Sequence, residues 1–152
     1  MEDKICSFFG HSSINATIEL KNKTYNEILN AIDFGCNIFY FGGYGEFDFL
    51  CLNLLNEIIK EKNLSVKRVY CVSQERYLTK KCPYFNKKDY DSVIYLTPSF
   101  NGWYKSIYFR NIAMIDNSNY VIFYAENKEK SGAYKAYRYA LKQKNKIIKN
   151  IF

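Results

Sequence analysis

Residues 37–48 read NIFYFGGYGEFD, a strand, a glycine turn and the start of a helix in twelve residues. Five residues rich in β-branched and aromatic side chains read as a buried strand, Asn37–Phe41. Three glycines within four residues then break it at Gly42-Gly43-Tyr44-Gly45. Beyond them Phe47, Leu50, Cys51, Leu54, Leu55, Ile58 and Ile59 recur at helical spacing, which predicts a helix over 47–62. Strand, glycine turn, helix is the opening of a βαβ unit.

The same alternation extends both ways. Upstream, Ile5–Phe9 is a strand ended by Gly10-His11-Ser12-Ser13. Lys23–Phe34 is a helix, with Thr24 as N-cap, Glu27 completing a capping box and Gly35 as its stop. Downstream, Ser65–Val72 is a strand, and residues 73–90 form a long irregular, basic loop. Ser92–Leu96, Tyr120–Ala125 and Lys146–Ile151 are further strands, with helices over Trp103–Asp116 and Ser131–Lys144. The pattern predicts one α/β Rossmann-like domain over residues 1–152, its sheet mainly parallel and its helices on both faces. Ligands of such sheets bind at the carboxyl ends of the strands, near a topological switch point.

Composition narrows the class. The chain has 152 residues, 48% of them hydrophobic and 24% charged, which excludes a disordered chain, a collagen-like fibre and a disulfide mini-protein. Cys6, Cys36, Cys51, Cys71 and Cys82 are odd in number and widely spaced, with no CxxC, and are read as reduced thiols. The N-terminus lacks the basic start and apolar core of a signal peptide, and no apolar run reaches the length of a membrane span. A cytoplasmic location, no membrane partner, no metal and no cofactor are expected. The 15 Tyr and 12 Phe suit base stacking or simply a core built from an A/T-rich coding sequence. The net charge of +7 has its densest cluster at Lys135, Arg138, Lys142, Lys144, Lys146 and Lys149, either a solvated face or a nucleic-acid contact.

Most candidate site residues sit at the predicted strand ends; Arg110 and Asn111 sit in mid-helix. Gly42, Gly43 and Gly45 suit a loop whose amides approach a phosphate or ribose, or a tight turn. Glu46 and Asp48 follow, suited to ribose hydroxyls, to orienting a water, or to capping the helix. His11 suits acid–base work, a phosphate contact or loop hydrogen bonds. Arg110 with Asn111 suits an anion clamp or a surface ion pair, and Ser131-Gly132 a second anion site or an ordinary cap.

Taken together, CSFFGH (6–11), FGGYGEFD (41–48), RNIAMID (110–116), YVIFY (120–124) and SGAYKAYRYALKQKNKIIKNI (131–151) resemble the SLOG superfamily. The superfamily is named for the Smf/DNA-processing proteins and the LOG nucleotide-processing enzymes, and the likeness is to its small stand-alone bacterial or phage-type members. The resemblance implies a Rossmann-like domain that binds a nucleotide or nucleotide-derived ligand. The matching pocket positions are Gly10, His11, Gly42, Gly43, Gly45, Asp48, Arg110, Asn111, Ser131 and Gly132. It also implies pairing into a homodimer or other homo-oligomer, for which Trp103–Tyr108 supply an aromatic face.

Two departures bear on catalysis. LOG phosphoribohydrolases carry PGGxGTxxE; here no proline precedes the glycines, and Phe49 stands where the glutamate belongs. Deoxyribosyltransferase relatives place a nucleophilic Glu in GTxxE; the corresponding stretch here is Gly132-Ala133-Tyr134-Lys135-Ala136. Cleaving an N-glycosidic bond needs a carboxylate. The expectation is therefore a nucleotide-binding module without catalysis. The alternatives are an N-glycoside hydrolase using Asp48 or Glu46, and a DNA-binding protein using the basic C-terminal face.

Overall fold

The structure, a computed structural model, describes residues 2–80, 86–96 and 103–152. Six strands and four α-helices alternate: β1 (Ile5–Gly10), α1 (Ile18–Phe34), β2 (Ile38–Phe41), α2 (Glu46–Lys62), β3 (Lys67–Cys71), β4 (Ser92–Ile94), α3 (Trp103–Asp116), β5 (Tyr120–Tyr124), α4 (Gly132–Leu141) and β6 (Ile147–Asn150). Every pairing is parallel, and the strand order is β4-β3-β2-β1-β5-β6. The chain runs outward from β1 through β2 to β4, then returns to the other side of β1. The switch point therefore lies between β1 and β5, where Phe9 pairs with Phe123 and Gly10 with Tyr124.

Alternation along the strands builds two cores. Phe8, Phe39, Phe41, Tyr70 and Ile122 point to one face, under Ile28 and Ala31 of α1 and Leu55 and Ile58 of α2. Phe9, Tyr40, Val69, Val121 and Phe123 point to the other, under Met114 and Ile115 of α3 and Ala133, Ala136 and Ala140 of α4. Small residues on α4 let it lie close to the sheet. Phe8, Phe39, Phe41, Phe47 and Phe123 are almost fully buried, each contributing about 1.5–3 kcal/mol of apolar burial. Much of the phenylalanine content thus serves packing.

Helix α1 begins five residues before its expected start. Thr17 is the N-cap, accepting from the Leu20 amide at 3.1 Å. Thr24 is inside the helix, buried, with its hydroxyl on the Leu20 carbonyl at 2.7 Å. Glu27 completes no capping box and instead accepts from the Tyr120 hydroxyl. Gly35 ends the helix as expected, in the left-handed region at φ 111°. Helix α4 stops at Leu141, three residues short of its expected end. Cys6, Cys36, Cys51 and Cys71 are free and buried; Cys82, with Pro83, lies outside the described residues. Among the described residues no helix is long and apolar enough to cross a membrane.

Candidate functional site

A cleft of about 480 Å³ opens at the carboxyl edge of the sheet, over the β1/β5 switch point. Gly10, His11, Gly42, Asp48, Arg110, Asn111, Ser131 and Gly132 all line it. Five separate segments thus converge, because each expected residue follows a parallel strand or faces that edge from a helix. Gly43 and Gly45 are outside the cleft lining, packed against Tyr70 and Ser12. Glu46 is exposed on the first turn of α2, outside the cleft lining.

The glycine turn is packed against protein. A Cβ on Gly43 would meet the Tyr70 ring at 1.9 Å, and one on Gly42 would meet Arg110 Nη2 at 2.7 Å. At Gly45 it would meet the Ser12 backbone at 2.7 Å. Gly43 and Gly45 also have φ of 66° and 95°, conformations that favour glycine. The turn's amides are engaged within the chain: Gly43 N–H donates to Asp48 Oδ2 at 2.7 Å, and Glu46 N–H to the Ser12 carbonyl at 2.9 Å.

Asp48 and Arg110 form the buried charged floor, 7% and 5% exposed. Burial pushes the Asp48 carboxyl up to about 6, opposed by the Arg110 charge and by the turn's amides. Arg110 Nη1 donates to the Gly42 carbonyl at 2.9 Å, so the arginine buttresses the same turn. Its Nε and Nη2 both reach Asn111 Oδ1, at 3.3 and 3.0 Å. A guanidinium carries five N–H groups, so one remains on each terminal nitrogen. Asn111, its oxygen taken, has only amide N–H groups to offer the cleft.

His11 closes the crevice. Its Nε2 accepts from Glu126 N–H at 2.8 Å, tying the turn after β1 to the turn after β5. An accepting Nε2 leaves the proton of a neutral ring on Nδ1, which then donates to Ser131 Oγ at 3.3 Å. Burial and the charge of Lys128 lower the His11 pKa below its usual value, consistent with the neutral form. In this arrangement His11 is a donor to Ser131 and cannot serve as its base. Ser131 Oγ also accepts from Tyr134 N–H at 3.3 Å as the N-cap of α4. With two hydrogen bonds accepted, its own hydroxyl hydrogen is available to the cleft.

Glu126, Lys128 and Asn15, which the sequence does not single out, also line the cleft, as does Ser12 of the turn after β1. Glu126 and Lys128 follow the most apolar strand at once and pair with each other at 3.1 Å. The rule that ligands sit beyond strand ends points to them. The basic C-terminal cluster divides: Lys146 Nζ is bound to the Asp116 and Ser118 carbonyls, while Lys135, Arg138 and Lys142 are exposed. Of the expected aromatic face, Ile107 and Tyr108 are each 40% exposed; the side chains of Trp103 and Tyr104 lie outside the described residues.

No family model matches the chain, and no curated protein matches it significantly. Solved structures do. DNA processing protein A from Streptococcus pneumoniae superposes with a TM-score of 0.65 at 14% identity, over 96% of this chain and 49% of that one. A structural-genomics target described as TM1055 superposes with a TM-score of 0.54 at 15% identity, over 90% of this chain and 68% of that one. The chain thus spans about half the length of the DNA processing protein. At these identities the likeness shows a shared fold, the Rossmann-like α/β domain that the motif resemblance to the SLOG superfamily implied.

Proposed function

We propose that the chain is a SLOG-type domain that binds a nucleotide or nucleotide-derived ligand in the cleft over β1 and β5. The observation that carries this reading is the cleft lining at the entrance to α4. Ser131, Gly132 and Asn111 line the cleft together, with the buried Arg110 charge hydrogen-bonded to Asn111. Helix N-terminal amides backed by a cation suit a phosphate. The Asp48 carboxylate repels phosphate but suits sugar hydroxyls, so the ribose belongs on its side of the cleft. Binding without turnover is favoured because the carboxylate positions of both enzyme signatures hold Phe49 and Ala136.

A second reading has one specific support. A carboxyl group with a pKa of about 6 at a cleft floor suits acid–base work near neutrality. Asp48 would then serve an N-glycoside hydrolase.

One experiment separates the two. The protein is titrated with AMP and, in parallel, incubated with it while free adenine is followed by chromatography. Saturation to 100 times the dissociation constant adds about 2.7 kcal/mol, which for a chain of this size raises the melting temperature by about 5–10 °C. A shift with intact AMP supports the binding module. Released adenine that disappears in Asp48→Asn supports the hydrolase. No shift and no turnover with AMP, GMP, CMP or UMP overturns both.

A further inference from the structure

A second hollow, about 740 Å³, runs between α3 and α4. It shares Ile107, Asn111 and Gly132 with the cleft, so the two are continuous and meet at the entrance to α4. Its α4 wall is a stripe of exposed cations: Lys135, Arg138 and Lys142 follow at intervals of three and four residues and so share one helix face. None of the three is ion-paired among the described residues. Its α3 wall presents Ile107 and Tyr108, half-exposed apolar surface of the kind a base or second sugar covers. The one acid in α3 and α4, Asp116, is engaged by the Tyr139 hydroxyl at 2.6 Å and contributes one negative charge against the three cations on the α4 side.

We infer that the ligand has two units joined through phosphate, the first in the cleft and the second in the α3–α4 hollow, with the linking phosphate at the Ser131–Gly132–Asn111 seam. This inference rests on the nucleotide-binding reading and specifies its ligand class. A mononucleotide fills only the smaller space and leaves the cation stripe unmatched. Phosphate-joined units match the order of the surface: a polar pocket, a helix entrance, then cations beside an apolar wall. A phosphodiester and a diphosphate linkage share this chemistry.

The test compares AMP, the linear dinucleotide pApA and ADP-ribose by calorimetry at 150 mM salt. It uses the wild-type protein and the double variant Lys135→Ala/Arg138→Ala. Both substitutions are on an exposed helix face, where alanine preserves helicity. At least one two-unit ligand is expected to bind about tenfold more tightly than AMP, and the double variant is expected to lose that gain while keeping its AMP affinity. Which two-unit ligand gains identifies the linkage. Equal affinity for all three ligands, or a gain that survives the double substitution, overturns the inference while leaving the nucleotide reading intact. No binding of any ligand overturns both. The same variant in 500 mM salt supplies a control, since loss of phosphate contacts must flatten the salt dependence.

Discussion

Two of the turns that carry the chain from the carboxyl edge of the sheet into a helix, β2 to α2 and β5 to α4, differ in where their polar groups face. Gly42–Gly45 leads from β2 into α2 and is glycine-rich, yet Tyr70, Arg110 and Ser12 fill the space beside its three glycines. Its Gly43 amide already holds a carboxylate, that of Asp48. Residues 125–131 lead from β5 into α4 with less to notice in the sequence. A Cβ on Gly132 would meet nothing within 4 Å, and Ser131 keeps a hydroxyl hydrogen to donate. Glycine in the first turn permits close approach by the protein itself. The receptive turn is the one whose helix entrance is left open. A glycine count registers backbone freedom, and only the neighbours decide who uses it.

Substitution at the two turns should separate them most sharply. Gly43→Ala combines a positive φ with a collision against an aromatic ring, and is expected to cost about 3–5 kcal/mol. Gly132→Ala, in open space at the start of α4, should stay within about 0.5 kcal/mol of wild type. Urea unfolding of both variants measures the contrast; equal losses would erase it.

The carboxylate that closes the first turn gives a pH signature. Folding raises the Asp48 pKa from 3.8 to about 6, so its contribution favours the fold fully below pH 4 and is lost as pH rises through 6. The shift corresponds to about 3 kcal/mol. Asp48→Asn should remove this component, so the wild-type-minus-variant stability difference should fall between pH 4 and pH 7 and be flat above. A pH-independent difference would mean that the carboxylate is not held as described.

The smallest effect sharpens the second turn. Ser131→Ala removes the N-cap of α4 and should cost about 1 kcal/mol. It also deprives His11 Nδ1 of its acceptor. The His11 titration, followed by NMR, should therefore move further from that of wild type than the titration in Gly132→Ala does.

The layered fold was legible because strand and helix periodicities rarely coincided: β1, β2 and β5 read as short apolar runs, α2 as a long apolar stripe. The start of α1 was not, because Thr24 and Glu27 have the spacing of a capping box while tertiary contacts claim both side chains. At the cleft, the strand-end rule pointed to Gly10, His11, Gly42, Asp48, Ser131 and Gly132, and the mid-helix pair Arg110 and Asn111 joins them around one space. The rule could not show that Asp48 faces back into its own turn, since that depends on a 2.7 Å contact between residues five apart. Nor could it reveal His11 as a donor, which follows from the Glu126 amide 115 residues away.

The bond between Asp48 and the Gly43 amide has a consequence for selectivity. The turn behaves as an ion exchanger already loaded with a tethered counter-ion. A free anion arriving there competes with an intramolecular rival whose effective concentration is of millimolar order or higher. Dilute phosphate or sulfate therefore loses at neutral pH, and the site is guarded against the commonest small anions.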